Sequence, residues 1–263
     1  MGELRESMGY VEVKGRILQV DTRDVTVQGE AKKVFSGVIA DETGKIQFTA
    51  WSDFKLKDGE VVRISKGTVK GWRGIPQLSF DDRSEVTKVK EKFPSAEELR
   101  RGSLRMISEV ASRGGAMDAT VRGIILEVRE GSGLIMRCPE CKRALQKGVC
   151  KLHGRVDGVP DLRIKAILDD GTGAVSVIMN RELTEKLTGT TLDEAMQKAK
   201  EKMDFEAAKG MMDEVLALKV ATVTGTIRSD PYGLSMIANE AELTSYDVKQ
   251  EAEKLRVKLE APE

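Results

Sequence analysis

The sequence predicts a mainly β protein with helical connections: two small five-stranded barrels in series, the second carrying a metal ribbon and a helical insertion. Three observations predict it. Short runs of alternating apolar residues are punctuated by Gly and Asx turns, the pattern of Greek-key barrels. An early pattern also returns: Val13-Lys14-Gly15-Arg16-Ile17-Leu18-Gln19-Val20 is echoed by Val121-Arg122-Gly123-Ile124-Ile125-Leu126-Glu127-Val128, and Gly37-Val38-Ile39-Ala40-Asp41-Glu42-Thr43-Gly44 by Ala166-Ile167-Leu168-Asp169-Asp170-Gly171-Thr172-Gly173. Finally, all three cysteines and the only histidine fall together, at Cys138, Cys141, Cys150 and His153.

In chain order, residues 1–9 are polar, and alternation starts at Tyr10 and marks a strand to Val20. Residues 21–33 read as a turn or loop, and Val34–Ala40 as a second strand. Asp41-Glu42-Thr43-Gly44 is a tight hairpin turn. The third strand, from Lys45 to Trp51, sets Ile46, Phe48 and Ala50 on one face and Gln47, Thr49 and Trp51 on the other. Asp58-Gly59 turns the chain into a strand over 61–70, the Gly-rich segment 71–76 is a loop, and a fifth strand covers about 77–89. These elements make residues 1–93 the first barrel domain. Pro94 breaks the pattern. Ser95 and Glu98 form a capping box for a helix, with Leu99, Leu104, Ile107 and Val110 as its apolar stripe and Gly114-Gly115 as its end. That helix is the connector over 94–116.

The second barrel is expected over 117–244. Its first two landmarks lie 21 residues further apart than in the first copy, and the cysteine cluster sits in the excess, so a ribbon at about 137–154 is inserted between strands one and two. Residues 181–217 read as helical, with Thr191 and Glu194 as a capping box. Strands over 218–228 and 234–243 flank the turn Asp230-Pro231-Tyr232-Gly233. The tail, 245–263, is a charged helix with Val248, Ala252, Leu255 and Leu259 on one side. It reads equally as a packed end-cap or as an oligomerisation helix.

The spacing C-x2-C-x8-C-x2-H supplies four soft or borderline ligands as two pairs, each on a tight turn. That is the donor set of a tetrahedral structural Zn2+ site with no position open for water. The other reading is a disulfide with one spare thiol. The chain carries 43 basic and 43 acidic residues, which argues against coating nucleic acid by bulk charge and makes any basic surface local. With no apolar run of membrane-spanning length and no signal segment, the expected location is cytoplasmic. No phosphate-loop, nucleophile-elbow or zinc-protease motif is present, so no enzymatic activity is expected.

Eight of the eleven aromatic residues lie between Tyr10 and Phe93. Trp51 falls on a polar strand face, and Trp72 stands in a Gly-rich loop beside Arg73. Exposed rings next to cations suit single-stranded nucleic acid, which needs a π face for its bases and positive charge for its phosphates. Arg23, Lys32, Lys33, Lys45 and Lys70 are candidates for the latter, although each taken singly is more simply a solvated surface charge.

The segments 137–154, 161–166 and 169–173 resemble the replication protein A family of euryarchaeal type. The resemblance spans about 10–243 and is most specific in the cysteine segment. It implies two OB-folds, one carrying a zinc finger. It also implies sequence-independent binding and protection of single-stranded DNA in replication, repair and recombination, a nucleoid-associated cytoplasmic location, and replication or repair proteins as partners. A homo- or hetero-oligomer through the second OB-fold and the tail helix is a further expectation. In that family, aromatics at the end of strand three and in the loop between strands four and five stack on bases; here those places are held by Trp51 and Trp72. The second repeat has about Asn180 and Tyr232 instead, which makes it the weaker site. An RNA-binding OB protein and an assembly subunit that mainly binds proteins remain the alternatives.

Overall fold

The computed structural model describes all residues except 7, 28, 73–74, 102–103, 245–248, 250–251, 254–255 and 257–263. Strands β1 (Tyr10–Val27), β2 (Glu30–Asp41), β3 (Gly44–Ala50), β4 (Val61–Trp72), β5 (Ile75–Phe80) and β6 (Glu85–Lys88) form one sheet in the order β1, β2, β3, β5, β4, β6. β1 also pairs with β4, which closes the first five strands into a barrel. β3 and β5 run parallel, as a Greek-key closure demands, and the other pairings are antiparallel. The sharp coiling of β1 has a visible cause. A bulge between Ile17 and Gln19 presses its backbone onto Gly37, where an added Cβ would lie 2.0 Å from the Gln19 carbonyl oxygen. The core is filled by Ile17, Ile39, Phe48, Ile64 and Leu78, all fully buried.

Two expectations for this half are corrected. Residues 21–33 are not a loop: β1 and β2 continue as a hairpin arm to Val27 and Glu30, with Arg23 opposite Val34 and Asp24 opposite Lys33. The arm is exposed on both faces, so it lacks the apolar alternation that marks a half-buried strand. The fifth strand is two strands, separated where Asp81 accepts backbone hydrogen bonds from Arg83 and Ser84.

The connector is likewise two helices, α1 (Ala96–Arg100) and α2 (Ile107–Arg113). The Ser95–Glu98 capping box forms as expected. The helix is interrupted because Arg105 donates its backbone N–H to Thr120 instead of continuing a helical ladder. α1 covers part of the outer face of the first barrel, packing Leu99 with Leu18 and Ala40.

Beyond it lie β7 (Gly115–Val128), β8 (Gly133–Arg137), β9 (Val149–Cys150), β10 (Gly154–Arg155), β11 (Val159–Asp169) and β12 (Ala174–Met179). Helices α3 (Arg181–Thr188), α4 (Leu192–Lys202) and α5 (Ala207–Leu216) follow, then β13 (Val220–Asp230) and β14 (Gly233–Leu243). The sheet order β12, β14, β13, β7, β11, β8, with β12 also pairing with β11, makes a second ring in the strand sequence of the first. β12 and β14 are its parallel pair. The helical insertion is three helices; α4 starts on the predicted Thr191–Glu194 capping box, and α4 and α5 pack against β8. By compactness the chain divides into one unit of 1–121, 169–179 and 223–240 and another of 122–168, 180–222 and 241–263. The tail helix predicted over 245–263 lies largely outside the described residues; Lys249, Ala252, Glu253 and Arg256 are helical.

The repeat reaches further upstream than the sequence echo. In the Asp41 turn, Oδ1 accepts from the backbone and hydroxyl of Thr43 and from Gly44 N. Its other oxygen takes the Met1 amino group, and Thr43 Oγ1 takes Gly2 N at 2.8 Å. The Asp170 turn repeats each bond: Oδ1 to Thr172 and Gly173, Oδ2 to Ile107 N at 2.7 Å, and Thr172 Oγ1 to Ser108 N at 3.2 Å. Met1 and Leu4 are buried as Ile107 and Val110 are.

Candidate nucleic-acid interface and metal centre

Alternation along three neighbouring strands decides what the first barrel shows to solvent. Phe48 and Ala50 of β3, Val69 of β4 and Leu78 and Phe80 of β5 point inward. Gln47, Thr68 and Lys70, and Gln77 and Ser79 therefore point outward, as does Thr49, although its neighbours cover it to 7% exposure. Gln77 lies between Gln47 and Lys70 in register and donates to Gln47 Oε1 at 3.4 Å. Trp51 follows β3 directly. Its backbone N–H bonds Phe80 O at 2.9 Å and its indole Nε1–H bonds Ser79 Oγ at 3.1 Å, so the ring lies along this outer face, 42% exposed. Trp72 is the last residue of β4, not a loop residue; it pairs with Ile75 and is 60% exposed. Ser79 and Ile75 are four residues apart on β5, about 13 Å at the usual strand rise. The two indoles thus flank one polar strip, with Lys70 on it.

The other predicted cations are placed differently. Arg23, Lys32 and Lys33 are exposed on the β1–β2 arm. Lys33 is near enough to help hold the Asp53 carboxyl below its ordinary value, after the larger effect of Lys55, which pairs with Asp53 at 2.7 Å. Arg73 lies outside the described residues. Lys45 does not join the strip. Its ammonium bonds Asp118 and the Arg100 carbonyl and the side chain is only 7% exposed, so it holds the end of α1 and the start of β7 to the barrel. Tyr10, 70% exposed and paired with Thr68 on the neighbouring strand, was not singled out. The available signal was its parity with Glu12 and Lys14 on β1.

The second chemical cluster stands at the tip of the β8–β11 hairpin, where Arg137 faces Val159. One ligand atom from each of Cys138, Cys141, Cys150 and His153 lies within 4.8 Å of all the others. Cys138 Sγ is 3.3 Å from His153 Nδ1, Cys141 Sγ is 3.5 Å from Cys150 Sγ, and Cys150 Sγ is 3.8 Å from His153 Nδ1. A tetrahedron built on metal–sulfur bonds of about 2.3 Å and a metal–nitrogen bond of about 2.0 Å has edges of about 3.5–3.8 Å, so the donors fit such an ion. All three cysteines are free thiols, and the Cys141 and Cys150 sulfurs, 3.5 Å apart, stand well beyond the about 2.05 Å of a disulfide bond.

The turns prepare these sulfurs to be anionic. Backbone N–H groups of Cys141 and Glu140 hold the Cys138 thiol below its ordinary value, and those of Leu152 and His153 bring Cys150 down to about 6. Arg143 N–H acts the same way on Cys141, but burial and the neighbouring sulfurs outweigh it and leave that thiol raised. The sulfurs of Cys138 and Cys150 raise His153. With Nδ1 turned inward, His153 Nε2 stands 3.5 Å from a Glu140 carboxylate oxygen, the outer partner that orients a ligating imidazole. The sequence reading missed Glu140, although its place inside C-x-x-C was the clue.

Comparison with known proteins bears on the first cluster. Residues 11–86 match the family model of the OB-fold nucleic acid binding domain. That segment holds both tryptophans and all five strands of the first barrel. No curated protein matches the chain. Among solved structures it is similar to a replication protein A heterotrimer bound to single-stranded DNA, at 11% identity over 98% of both chains with a TM-score of 0.43. An OB domain from Thermoplasma acidophilum is 30% identical over 35% of this chain and 86% of its own, at TM-score 0.33. A replication factor A related protein from Methanobacterium thermoautotrophicum is 26% identical over 34% and 87%, at TM-score 0.30. No described helix is long and apolar enough to cross a membrane.

Proposed function

We propose that the protein binds single-stranded DNA without sequence preference, by stacking bases on Trp51 and Trp72 across the outer face of β3, β5 and β4, and that it acts in DNA replication, repair and recombination. The observation that carries this is the placement of two partly exposed indoles along one polar, lysine-bearing strip of the OB-fold barrel. Rings in that setting accept any base, because every base offers a π face, and Lys70 with the Arg23, Lys32 and Lys33 arm can meet the phosphates. Cys138, Cys141, Cys150 and His153 hold one Zn2+ as a closed structural site that fixes the hairpin tip and does no chemistry.

The test is a titration of the whole protein with oligo-dT, oligo-rU and a duplex of the same length, followed by tryptophan fluorescence. Quenching with oligo-dT at concentrations where the duplex leaves the signal unchanged is expected. Equal response to the duplex, or none to any strand, would remove this function. A preference for oligo-rU would favour the RNA reading.

A further inference from the structure

On the outer face of β11, Asp161, Arg163 and Lys165 alternate with buried Leu162, Ile164 and Ala166. Arg129 stands beside Lys165, its backbone N–H bonded to the Lys165 carbonyl at 2.8 Å. The Arg163 guanidinium is fixed by two bonds to the Gly131 carbonyl, at 3.0 and 2.7 Å. Gly131 brings the cations together: a Cβ there would lie 3.1 Å from an Arg163 nitrogen and 3.5 Å from Lys165 Nζ. Among the described residues none of these three cations forms an ion pair. Of the two carboxylates on that strand face, Asp161 is engaged by Arg137 and lies 3.9 Å from Arg181, and Asp169, at the end of β11, accepts from Gly171 N at 2.7 Å.

Three like charges held together, with only Asp161 acting on Arg163 as an opposite charge and that carboxylate already shared with Arg137 and Arg181, cost free energy unless an anion joins them. Burial, followed by Arg163 and Arg129, pushes the Lys165 ammonium below its ordinary value, a shift that a bound anion would oppose. We infer that Arg129, Arg163 and Lys165 form a phosphodiester-binding site on the second ring sheet, which takes the nucleic-acid backbone by charge alone. This rests on the nucleic-acid reading above but not on the tryptophans. It gives the second repeat, which has no stacking pair, a role of its own.

The test uses a fluorescent abasic phosphodiester oligomer beside oligo-dT, with the intact protein, Arg129→Gln/Lys165→Gln, and Trp51→Ala/Trp72→Ala. Neither Arg129 nor Lys165 makes a side-chain hydrogen bond among the described residues, and melting curves check that the variants fold; should the double variant fail, Lys165→Gln alone decides. The intact protein and the tryptophan variant should both bind the abasic oligomer. The charge variant should bind it at least tenfold more weakly at low salt, with a slope of log K against log salt less negative by about 1.4, two phosphates' worth. An unchanged slope overturns the inference, as does an intact protein that binds oligo-dT but not the abasic oligomer. So does inorganic tripolyphosphate binding where the abasic oligomer does not, since that marks a small-anion site. Abasic binding unaffected by the charge variant but lost with the tryptophans would overturn it too. Charge-dependent abasic binding in a protein indifferent to bases would support it and sink the stacking function instead.

Discussion

Truncating Trp72 to alanine separates binding from folding more cleanly than any other change on the strip. The side chain is 60% exposed and ends β4, so its loss should cost stability of only about 1 kcal/mol, near the centre of the range for single substitutions. Base stacking on an aromatic ring is worth about 1–3 kcal/mol, so oligo-dT affinity should fall about 5- to 150-fold. Trp51 is a harder case, because it is more covered and its indole N–H bonds Ser79. Trp51→Ala should therefore cost about 1 kcal/mol of stability from that hydrogen bond in addition to its loss in binding. Trp51→Phe keeps one aromatic ring and drops the bond along with the second ring, so it should recover much of the affinity and little of the stability. Fluorescence anisotropy with labelled oligo-dT gives the first quantity and thermal or urea unfolding the second. If Trp72→Ala is fully folded and binds as tightly as the native protein, the ring is not a stacking platform and the argument from its placement fails. If both variants lose affinity only in proportion to lost fold, the tryptophans are packing residues.

Other outcomes follow from the same geometry. Elemental analysis should find one zinc per chain, and Cys141→Ser should abolish it, because a site of four donors within 4.8 Å has no spare ligand; unchanged metal content would refute the site. Lys45→Met should destabilise the protein by up to about 3 kcal/mol, since it leaves Asp118 partly buried without its cation, while the folded fraction binds oligo-dT normally. Weakened binding with intact stability would return Lys45 to the interface. Asp170→Ala should be less stable near neutral pH. Burial alone would raise that carboxyl, but bonds from Ile107, Thr172 and Gly173 outweigh it and hold it low, so its contribution is present above about pH 4 and fades as pH falls through the lowered value. The gap between native and variant should therefore close in acid, and a gap constant from pH 7 to 3 would refute the assignment.

Features carried by near neighbours in sequence were legible: the C-x2-C-x8-C-x2-H donor set, the two capping boxes, the Asp41–Gly44 turn and the repeated strand pattern. What escaped depends on partners far along the chain. Lys45 looks like a surface cation until Asp118, 73 residues on, is seen to hold it. The 94–113 stripe reads as one helix because nothing local reports that Arg105 hydrogen-bonds to Thr120. The arm at 21–33 was hidden for the opposite reason: charges on both its faces erase the periodicity that burial writes into a strand.

The paired Asp turns matter to anyone who wishes to take this protein apart. Each barrel hooks the peptide that precedes its first strand, so the transferable module begins before that strand. A fragment started at residue 115, where the second β pattern opens, would leave Asp170 Oδ2 and Thr172 Oγ1 without the N–H groups of Ile107 and Ser108 and would uncover the pocket that Ile107 and Val110 fill. Starting it ahead of Leu104 instead keeps the hook and the bridge to Thr120 together. For grafting, domain exchange or tandem extension of such barrels, the seam belongs upstream of the helix, at a place the strand pattern alone would never suggest.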